Sequence, residues 1–283
     1  MLRDASADMA DMILVHPDFA PAMRRYAVEY TRWRESLGLL NKVVANAARL
    51  RILENIVYLH TVDFDSEGQP GPSFERISQL SSSTDDIGAR AVRTLLRLAQ
   101  ISGLVLSRRD VEDGRLSVYQ PTDVLMSYAK DYALVTLRPL DYMFPQLKIS
   151  EQMETDPTYF SYVTLAFGRV YLKMGLRTPR TSDPFRDLMR LEGALPILLT
   201  VLDGYFQGHD IPIAPEFTRR FHVSQSQVRA VLKIAESLGL IRTASRGRLI
   251  DAAPLETALF AAYARFLAFA AQTGFGVEAP SIG

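Results

Sequence analysis

A short segment, residues 223–243, concentrates side chains that can form paired hydrogen bonds. Glutamine carries a donor and an acceptor side by side, which fits the major-groove edge of adenine, and arginine carries two donors, which fit guanine. A serine can cap the start of a helix and leave backbone N–H groups for a phosphate. The segment therefore predicts contacts to double-stranded DNA from Ser224, Gln225, Ser226, Gln227, Arg229 and Lys233.

The end of this segment and the residues after it add three arginines around a glycine. Residues 240–251, LIRTASRGRLID, place apolar residues on both sides of a basic turn, which indicates a short β-hairpin. Arginines on such a hairpin are placed for phosphates or for the minor groove. Arg242, Arg246 and Arg248 are therefore predicted to extend the same DNA-binding surface.

The same fourteen-residue pattern occurs twice in the chain. Residues 92–105 read VRTLLRLAQISGLV, and residues 228–241 read VRAVLKIAESLGLI. The identical pairs are Val92/Val228, Arg93/Arg229, Leu96/Leu232, Ala99/Ala235, Gly103/Gly239 and Leu104/Leu240. In each copy the spacing predicts an amphipathic helix that ends at the glycine and is followed by a β-like stretch with a basic turn. That order is typical of the third helix and the wing of a winged helix-turn-helix.

The first copy offers a second set of DNA contacts, with a different start to its helix. Its candidate residues, on the helix and on a hairpin that turns at Asp113-Gly114, are Arg90, Arg93, Arg97, Arg108, Arg109 and Arg115. Gly88 stands where the second copy has its capping serine, and Asp85 and Asp86 lie where a phosphate would approach. We therefore expect the first copy to contribute less to DNA binding than the second.

Positive charge collects on the two copies although the whole chain is neutral. Residues 214–248 hold seven Lys or Arg against two Asp or Glu, a net of +5, and residues 76–115 have a net of +2. The remainder carries a net of −7. This segregation favours a phosphate-facing surface on the repeats.

The element order predicts a mainly α protein with small β-hairpin wings (α+β), built from two winged helix-turn-helix units and a helical connector. The first unit's helices are expected at 41–62, 74–80 and 86–102, and those of the second at 193–207, 215–222 and 224–238. A final helix is expected at 254–272, and residues 177–184 are expected to form a linker. The predicted divisions are an N-terminal helical extension (1–40), unit one (41–138), an aromatic-rich connector (139–184) and unit two with the C-terminal helix (185–283).

Residues 223–243, VSQSQVRAVLKIAESLGLIRT, resemble the recognition helix and wing entry of MarR-type and related winged-helix transcription regulators. The shared pattern is a serine cap, short polar residues and leucine-rich spacing up to Gly-Leu-Ile. The resemblance implies sequence-specific binding of double-stranded DNA by a bacterial transcription regulator. Two alternatives stay open: a tandem winged-helix interaction or scaffold protein without DNA affinity, and a plasmid-type replication initiator.

Other chemistry has no positive support in the sequence. The absence of cysteine excludes disulfides, thiol nucleophiles and cysteine-based zinc sites. The four histidines have no metal-binding spacing, and no nucleotide-binding or hydrolase motif occurs. We therefore expect no catalytic residue, metal or cofactor. The N-terminus lacks a signal-peptide pattern and helix 254–272 is short and interrupted by charges, so a cytoplasmic protein without a membrane span is expected.

The aromatic residues between the two units allow two interpretations. Core packing is the favoured one. The alternative is a pocket for a small apolar or aromatic effector, lined by Tyr128, Tyr132, Tyr142, Phe160, Phe167 and Tyr171. The low charge of segments 157–174 and 254–272 further predicts that one of these helices pairs two chains in a homodimer.

Overall fold

A computed structural model describes residues 2–64, 71–85, 87–109, 117–173, 184–244 and 248–275. Over these residues the chain is mainly helical, with two small antiparallel sheets of two strands each. This confirms the predicted mainly α class with small β elements. The linker predicted at 177–184 lies almost wholly outside the described residues.

The helices are α1 (Leu2–Val15), α2 (Phe19–Ser36), α3 (Ala47–Phe64), α4 (Phe74–Asp85), α5 (Ala89–Ile101), α6 (Asp123–Met143), α7 (Ile149–Thr155), α8 (Tyr159–Lys173), α9 (Pro184–Met189), α10 (Ala194–Gln207), α11 (Ala214–Phe221), α12 (Gln225–Ser237) and α13 (Ala253–Gly274). The strands are β1 (Val105–Arg109), β2 (Ser117–Pro121), β3 (Arg242–Thr243) and β4 (Leu249–Asp251). Short 3₁₀ helices span Gly38–Lys42 and Pro145–Leu147.

The chain divides into two compact bodies. The first body consists of residues 42–133 and 153–182, and the second of residues 1–41, 134–152 and 183–283. The first body contains α3, α4, α5, β1 and β2, which we call motif one. The second contains α10, α11, α12, β3 and β4, which we call motif two. This division places the N-terminal extension with motif two and distributes the predicted connector, residues 139–184, over both bodies.

Most predicted helices lie within a few residues of their expected positions, with two informative differences. The first helix of unit one begins at Ala47 rather than near residue 41, because Gly38–Lys42 forms a 3₁₀ helix instead. The sequence also predicts a helix that is capped by Thr122 and ends near Leu137; helix α6 instead continues through Pro139 to Met143. A proline inside a helix removes one backbone hydrogen-bond donor. A helix therefore continues through a proline only where packing compensates for the lost hydrogen bond.

The repeated residues have the same structural role in both motifs. Gly103 and Gly239 end α5 and α12 with φ of +70° and +69°, a left-handed conformation that favours glycine. Just beyond each glycine, a backbone N–H reaches back into the helix: Leu104 N to Ala99 O and Leu240 N to Ala235 O are both 2.9 Å. The identical residues therefore fix the same helix end and the same exit toward a hairpin.

Motif one packs its three helices against each other and against its hairpin. Strand β1 pairs antiparallel with β2 from Val105↔Pro121 to Arg109↔Ser117, which confirms the predicted hairpin. The turn itself, at Asp113-Gly114, lies outside the described residues. Helix α8 packs on α3, and any side chain at Gly168 would collide with the Tyr58 ring.

In the second body, the N-terminal helices pack on motif two and on α13. Helix α2 contacts α10 and α11, and α1 contacts α13. Ring contacts join the elements further, with Phe19 against Phe260 at 5.4 Å and Tyr26 against Tyr263 at 4.3 Å between centroids. Much of the apolar side of α13 is therefore covered within the chain itself.

A polar cluster ties α6 to α2 in the same body. The Tyr142 hydroxyl donates to Glu29 Oε1 at 2.7 Å, and Arg138 lies 3.3 Å from Glu29 Oε2. The Arg25 guanidinium lies over the Tyr142 ring, 4.9 Å from its centroid. Burial raises the pKa of the Tyr142 phenol above its ordinary value of 10, and the hydrogen bond to the Glu29 carboxylate raises that pKa further.

We expect Tyr142→Phe to lower the free energy of unfolding by about 1 kcal/mol at pH 8, because it removes a half-exposed hydrogen bond to a charged group. A phenol whose folded-state pKa is raised stabilises the fold below its unfolded-state pKa, and this stability is lost as pH rises through the folded-state pKa. Urea unfolding at pH 8 and above pH 10 should therefore show a smaller alkaline loss in the variant. Tyr205→Phe, at a half-buried tyrosine of α10 in the same body, is the matched control.

Candidate nucleic-acid interface

The start of helix α12 is built by a reciprocal pair of hydrogen bonds. Ser224 Oγ accepts from the Gln227 backbone N–H at 3.2 Å, and the Ser224 N–H donates to Gln227 Oε1 at 2.7 Å. This is a capping box, which satisfies two backbone donors that the helix would otherwise leave open. The predicted role of Ser224 as the cap is confirmed.

The same network engages two residues that the sequence predicted to contact DNA. Gln227 is half-buried and its Nε2 donates to Glu192, so both groups of its amide are already bonded. Ser226 Oγ shares a hydrogen bond of 2.9 Å with Ser224 Oγ. These side chains therefore position the helix start. The sequence does carry a signal for this role, because Ser-x-x-Gln is a capping-box pattern.

The outward face of α12 is a narrow stripe of exposed side chains. Gln225, Arg229 and Lys233 are exposed at successive i, i+4 positions, and Ala230 is exposed beside them. Arg229 Nη2 donates to Gln225 Oε1 at 3.1 Å. The opposite face is anchored in the core by three fully buried residues, Val228, Val231 and Ala235. The helix is thus fixed on one side, and its other side exposes polar side chains that include the acidic Glu236 near the end of the helix.

The basic residues of α11 divide between two roles. Arg220 is bonded to Glu35 of α2, with its Nε and Nη2 each 2.6 Å from Glu35 Oε1, and its guanidinium lies 5.1 Å from the Phe221 ring centroid. Arg220 therefore fixes α11 on α2. Arg219 is exposed next to it and was not among the predicted contacts, although its place in the last turn of α11 makes it a basic neighbour of the start of α12 in the sequence.

The second hairpin places further positive charge beyond the end of α12. Strand β3 pairs with β4 through Arg242↔Asp251 and Thr243↔Leu249, and Arg242 and Arg248 are exposed. Thr243 Oγ1 donates to Glu236 Oε1 at 2.6 Å, which links the strand to the end of α12. Arg246 lies outside the described residues.

Motif one has the same outline with different chemistry. Gly88 stands at the start of α5 with no side-chain cap, and Arg90, Arg93 and Arg97 are exposed on the helix. The Arg93 guanidinium lies over the Phe74 ring of α4, 4.9 Å from its centroid, in contrast to Arg229 of motif two. The exposed arginines of β1 are Arg108 and Arg109, while Arg115 and Asp86, and the side chain of Asp85, lie outside the described residues.

The six aromatic residues proposed to line an effector pocket fall in both bodies. Tyr128 and Phe160 are buried and Tyr132 and Phe167 half-buried in the first body. Tyr142 belongs to the second body, where its hydroxyl is bonded to Glu29, and the Tyr171 side chain lies outside the described part. A groove of about 310 Å³ opens in motif two, and its lining residues include none of the six: Glu236, Gly239, Ile241, Arg242, Asp251 and Pro254. The effector pocket stays a prediction.

Comparisons with known proteins give no family for the chain: no protein-family model, curated protein or solved structure matches it significantly. Within the described ranges, no helix combines the length and apolar character needed to cross a membrane. In the same ranges, no group of three His, Asp or Glu side chains is arranged to hold a metal ion.

Proposed function

We propose that the chain is a tandem winged helix-turn-helix protein that binds double-stranded DNA at specific sequences and regulates transcription. The observation that carries this proposal is the outward stripe of α12, with Gln225, Arg229 and Lys233 exposed on a helix whose other face is locked in the core. The surrounding segment, 214–248, has a net charge of +5 in a neutral chain. A rigid helix with exposed donors and local positive charge is what major-groove reading requires.

The proposed docking follows from the order of α11, α12 and the second hairpin. A tight turn joins α11 to α12, with His222 in a left-handed conformation at φ of +56°. In a helix-turn-helix the second of these helices enters the major groove by its N-terminal turns. Arg219, Arg242 and Arg248 then lie on elements that flank the groove, and Lys233 lies in the C-terminal half of α12; from there they contact phosphates and set the register.

One feature favours a protein partner for motif one. At two corresponding positions of the repeat, motif one exposes a large apolar residue: Ile101 of α5 is 81% exposed and Leu106 of β1 is 48% exposed. The repeat places the polar Ser237 and Arg242 of motif two where motif one has Ile101 and Leu106. The scaffold alternative is therefore the second candidate function, with motif one as its interaction module.

Capture of genomic fragments by the purified chain, followed by sequencing, tests the proposal. Enrichment of fragments upstream of genes supports a transcription regulator, and enrichment of direct repeats beside a replication origin supports an initiator instead. Retention of no fragment at low salt removes DNA binding and leaves the scaffold. The Arg229→Ala protein, run in parallel, separates specific capture from general adhesion.

We also propose that the protein is a homodimer, because a two-fold assembly would match a palindromic site. Helix α8 is the candidate interface, since Tyr162 is 56% exposed on it whereas α13 is largely covered by α1. Light scattering at micromolar concentration should give about twice the chain mass of 31.7 kDa. Tyr162→Glu should shift that mass toward the monomer, and a wild-type mass of one chain would contradict the proposal.

A further inference from the structure

We infer that motif one binds a partner protein along the outer edge of strand β1, and that the segment it binds is an extended, acidic strand. The inference rests on the second candidate function, an interaction module in motif one, and deepens it. It names the element that makes the contact and the chemistry of the segment that fits there. It does not depend on DNA binding by motif two.

Strand β1 is the edge strand of the small sheet in motif one. Strand β2 holds the middle position, because it pairs with β1 on one side and is bridged through Val118 to Ser73 on the other. On the Ser73 side, the Tyr119 N–H also donates to Pro72 O at 2.9 Å. Among the described residues, no strand pairs with the outer side of β1. That side is therefore where a further strand could be added.

The backbone of an edge strand can bind an extended peptide. In an antiparallel pair, alternate residues bond to the partner strand, and the residues between them point their N–H and C=O groups to the opposite side. A peptide that adds a strand to a sheet uses these outward groups. The last four residues of β1, from Leu106 to Arg109, are all exposed, so a peptide can reach them. In motif two, β3 has only two residues, Arg242 and Thr243, and its register with β4 is irregular.

The side chains of β1 define what the added strand should carry. Because side chains alternate along a strand, Leu106 and Arg108 lie on one face of the sheet and Ser107 and Arg109 on the other. A strand laid beside β1 places its own alternate residues next to Leu106 and Arg108. An apolar residue fits the first position and an aspartate or glutamate the second. The expected pattern is therefore an apolar and an acidic residue separated by one position.

The charge of β1 favours an acidic partner over two other occupants. A second copy of β1 would bring the arginines of both strands onto one ladder, and proteins use basic side chains on edge strands to prevent such pairing. Duplex DNA would satisfy Arg108 and Arg109, but neither the backbone edge nor the apolar Leu106 between them and the helix. An acidic strand with an apolar residue uses all three features.

Selection from a displayed library of random peptides of about ten residues, long enough for one strand, tests the inference with the full-length protein. We expect enriched peptides to be acidic and to carry the alternate apolar and acidic residues. Backbone N-methylation at the alternate positions that face β1 should weaken binding about tenfold, whereas methylation at the positions between them should change it little. No enrichment, enrichment of basic peptides, or equal tolerance of both methylation patterns would overturn the inference.

Substitutions in β1 give the second readout. Arg108→Glu should weaken binding of the acidic peptide at least about tenfold, and a peptide with lysine in place of its acid should recover the loss. Leu106→Ser should also weaken binding. Arg265→Ala, which removes an exposed arginine of α13 in the other body, is the control for general charge loss. Circular dichroism confirms that each variant is folded.

The variants also separate the inference from the functions on either side of it. Peptide binding that is lost in Ile101→Ser but kept in Leu106→Ser and Arg108→Glu would keep an interaction module in motif one and overturn strand pairing. A dimer that falls to one chain mass in Leu106→Ser would assign the edge to a second copy. Arg108→Glu that weakens duplex binding, in a protein that enriches no peptide, would make β1 a DNA-contacting wing. Each of these results would overturn the inference.

Discussion

Raising the salt concentration from about 50 to about 200 mM is expected to weaken binding to duplex DNA about a thousandfold. The reason is counterion release: each phosphate neutralised by a basic side chain frees condensed cations, and about six contacts give a slope of log K against log salt near −5. The structure supplies four exposed basic residues around α12: Arg219, Lys233, Arg242 and Arg248. Arg246, which the sequence predicts to lie on the same hairpin, and one arginine of motif one would bring the number of contacts to six.

Fluorescence anisotropy with a labelled operator fragment, over a series of salt concentrations, measures this slope. Arg242→Ala should make the slope about one unit less steep, because it removes one phosphate contact. Arg265→Ala should leave the slope unchanged, since that arginine lies on α13 outside the proposed surface. A wild-type slope near zero would mean that binding releases no counterions, and the scaffold function would then be the better account of the fold.

Local sequence patterns predicted the elements of this chain because their causes are local. The fourteen-residue repeat places apolar residues at helical spacing and a glycine at each helix end, and both glycines adopt the left-handed conformation that this position needs. The alternation of residues on either side of Asp113-Gly114 likewise predicted the β1–β2 pairing. Nothing beyond neighbouring residues is required for these features.

The residues whose roles the sequence did not reveal depend on distant partners. Gln227 is engaged by Glu192, which lies 35 positions earlier in the chain, and Arg93 lies over Phe74 of another helix. Residue type alone does not show whether a polar side chain is bonded to a distant residue or faces outward. The division into two bodies has the same cause: α2 packs on motif two and α1 packs on α13, both far away in sequence, because long-range apolar contacts decide that arrangement.

These partners make Arg93 and Arg229 unequal, although both stand at the same position of the fourteen-residue repeat. Arg229 is exposed and bonded only to Gln225 among the hydrogen bonds described for it, at the edge of the outward stripe. Arg93 rests on the Phe74 ring, and an arginine over an aromatic face gains about 0.5–1 kcal/mol from that contact at an exposed site. Arg93 would have to give up this contact before it could reach a base.

We therefore expect Arg229→Ala to weaken specific binding by about 1–3 kcal/mol, or about 5- to 150-fold, and Arg93→Ala to weaken it less. Titration of both variants against the same operator fragment, at one salt concentration, gives the ranking directly. Binding to an unrelated duplex should change little in either variant, because loss of a base contact lowers specificity more than general affinity.

Phe74→Leu provides the complementary test: if the ring holds Arg93 away from DNA, its removal should increase the contribution of Arg93 to binding. An equal or reversed ranking of the two arginines would show that motif one docks on DNA at least as closely as motif two, and the assignment of α12 as the principal reading helix would be wrong.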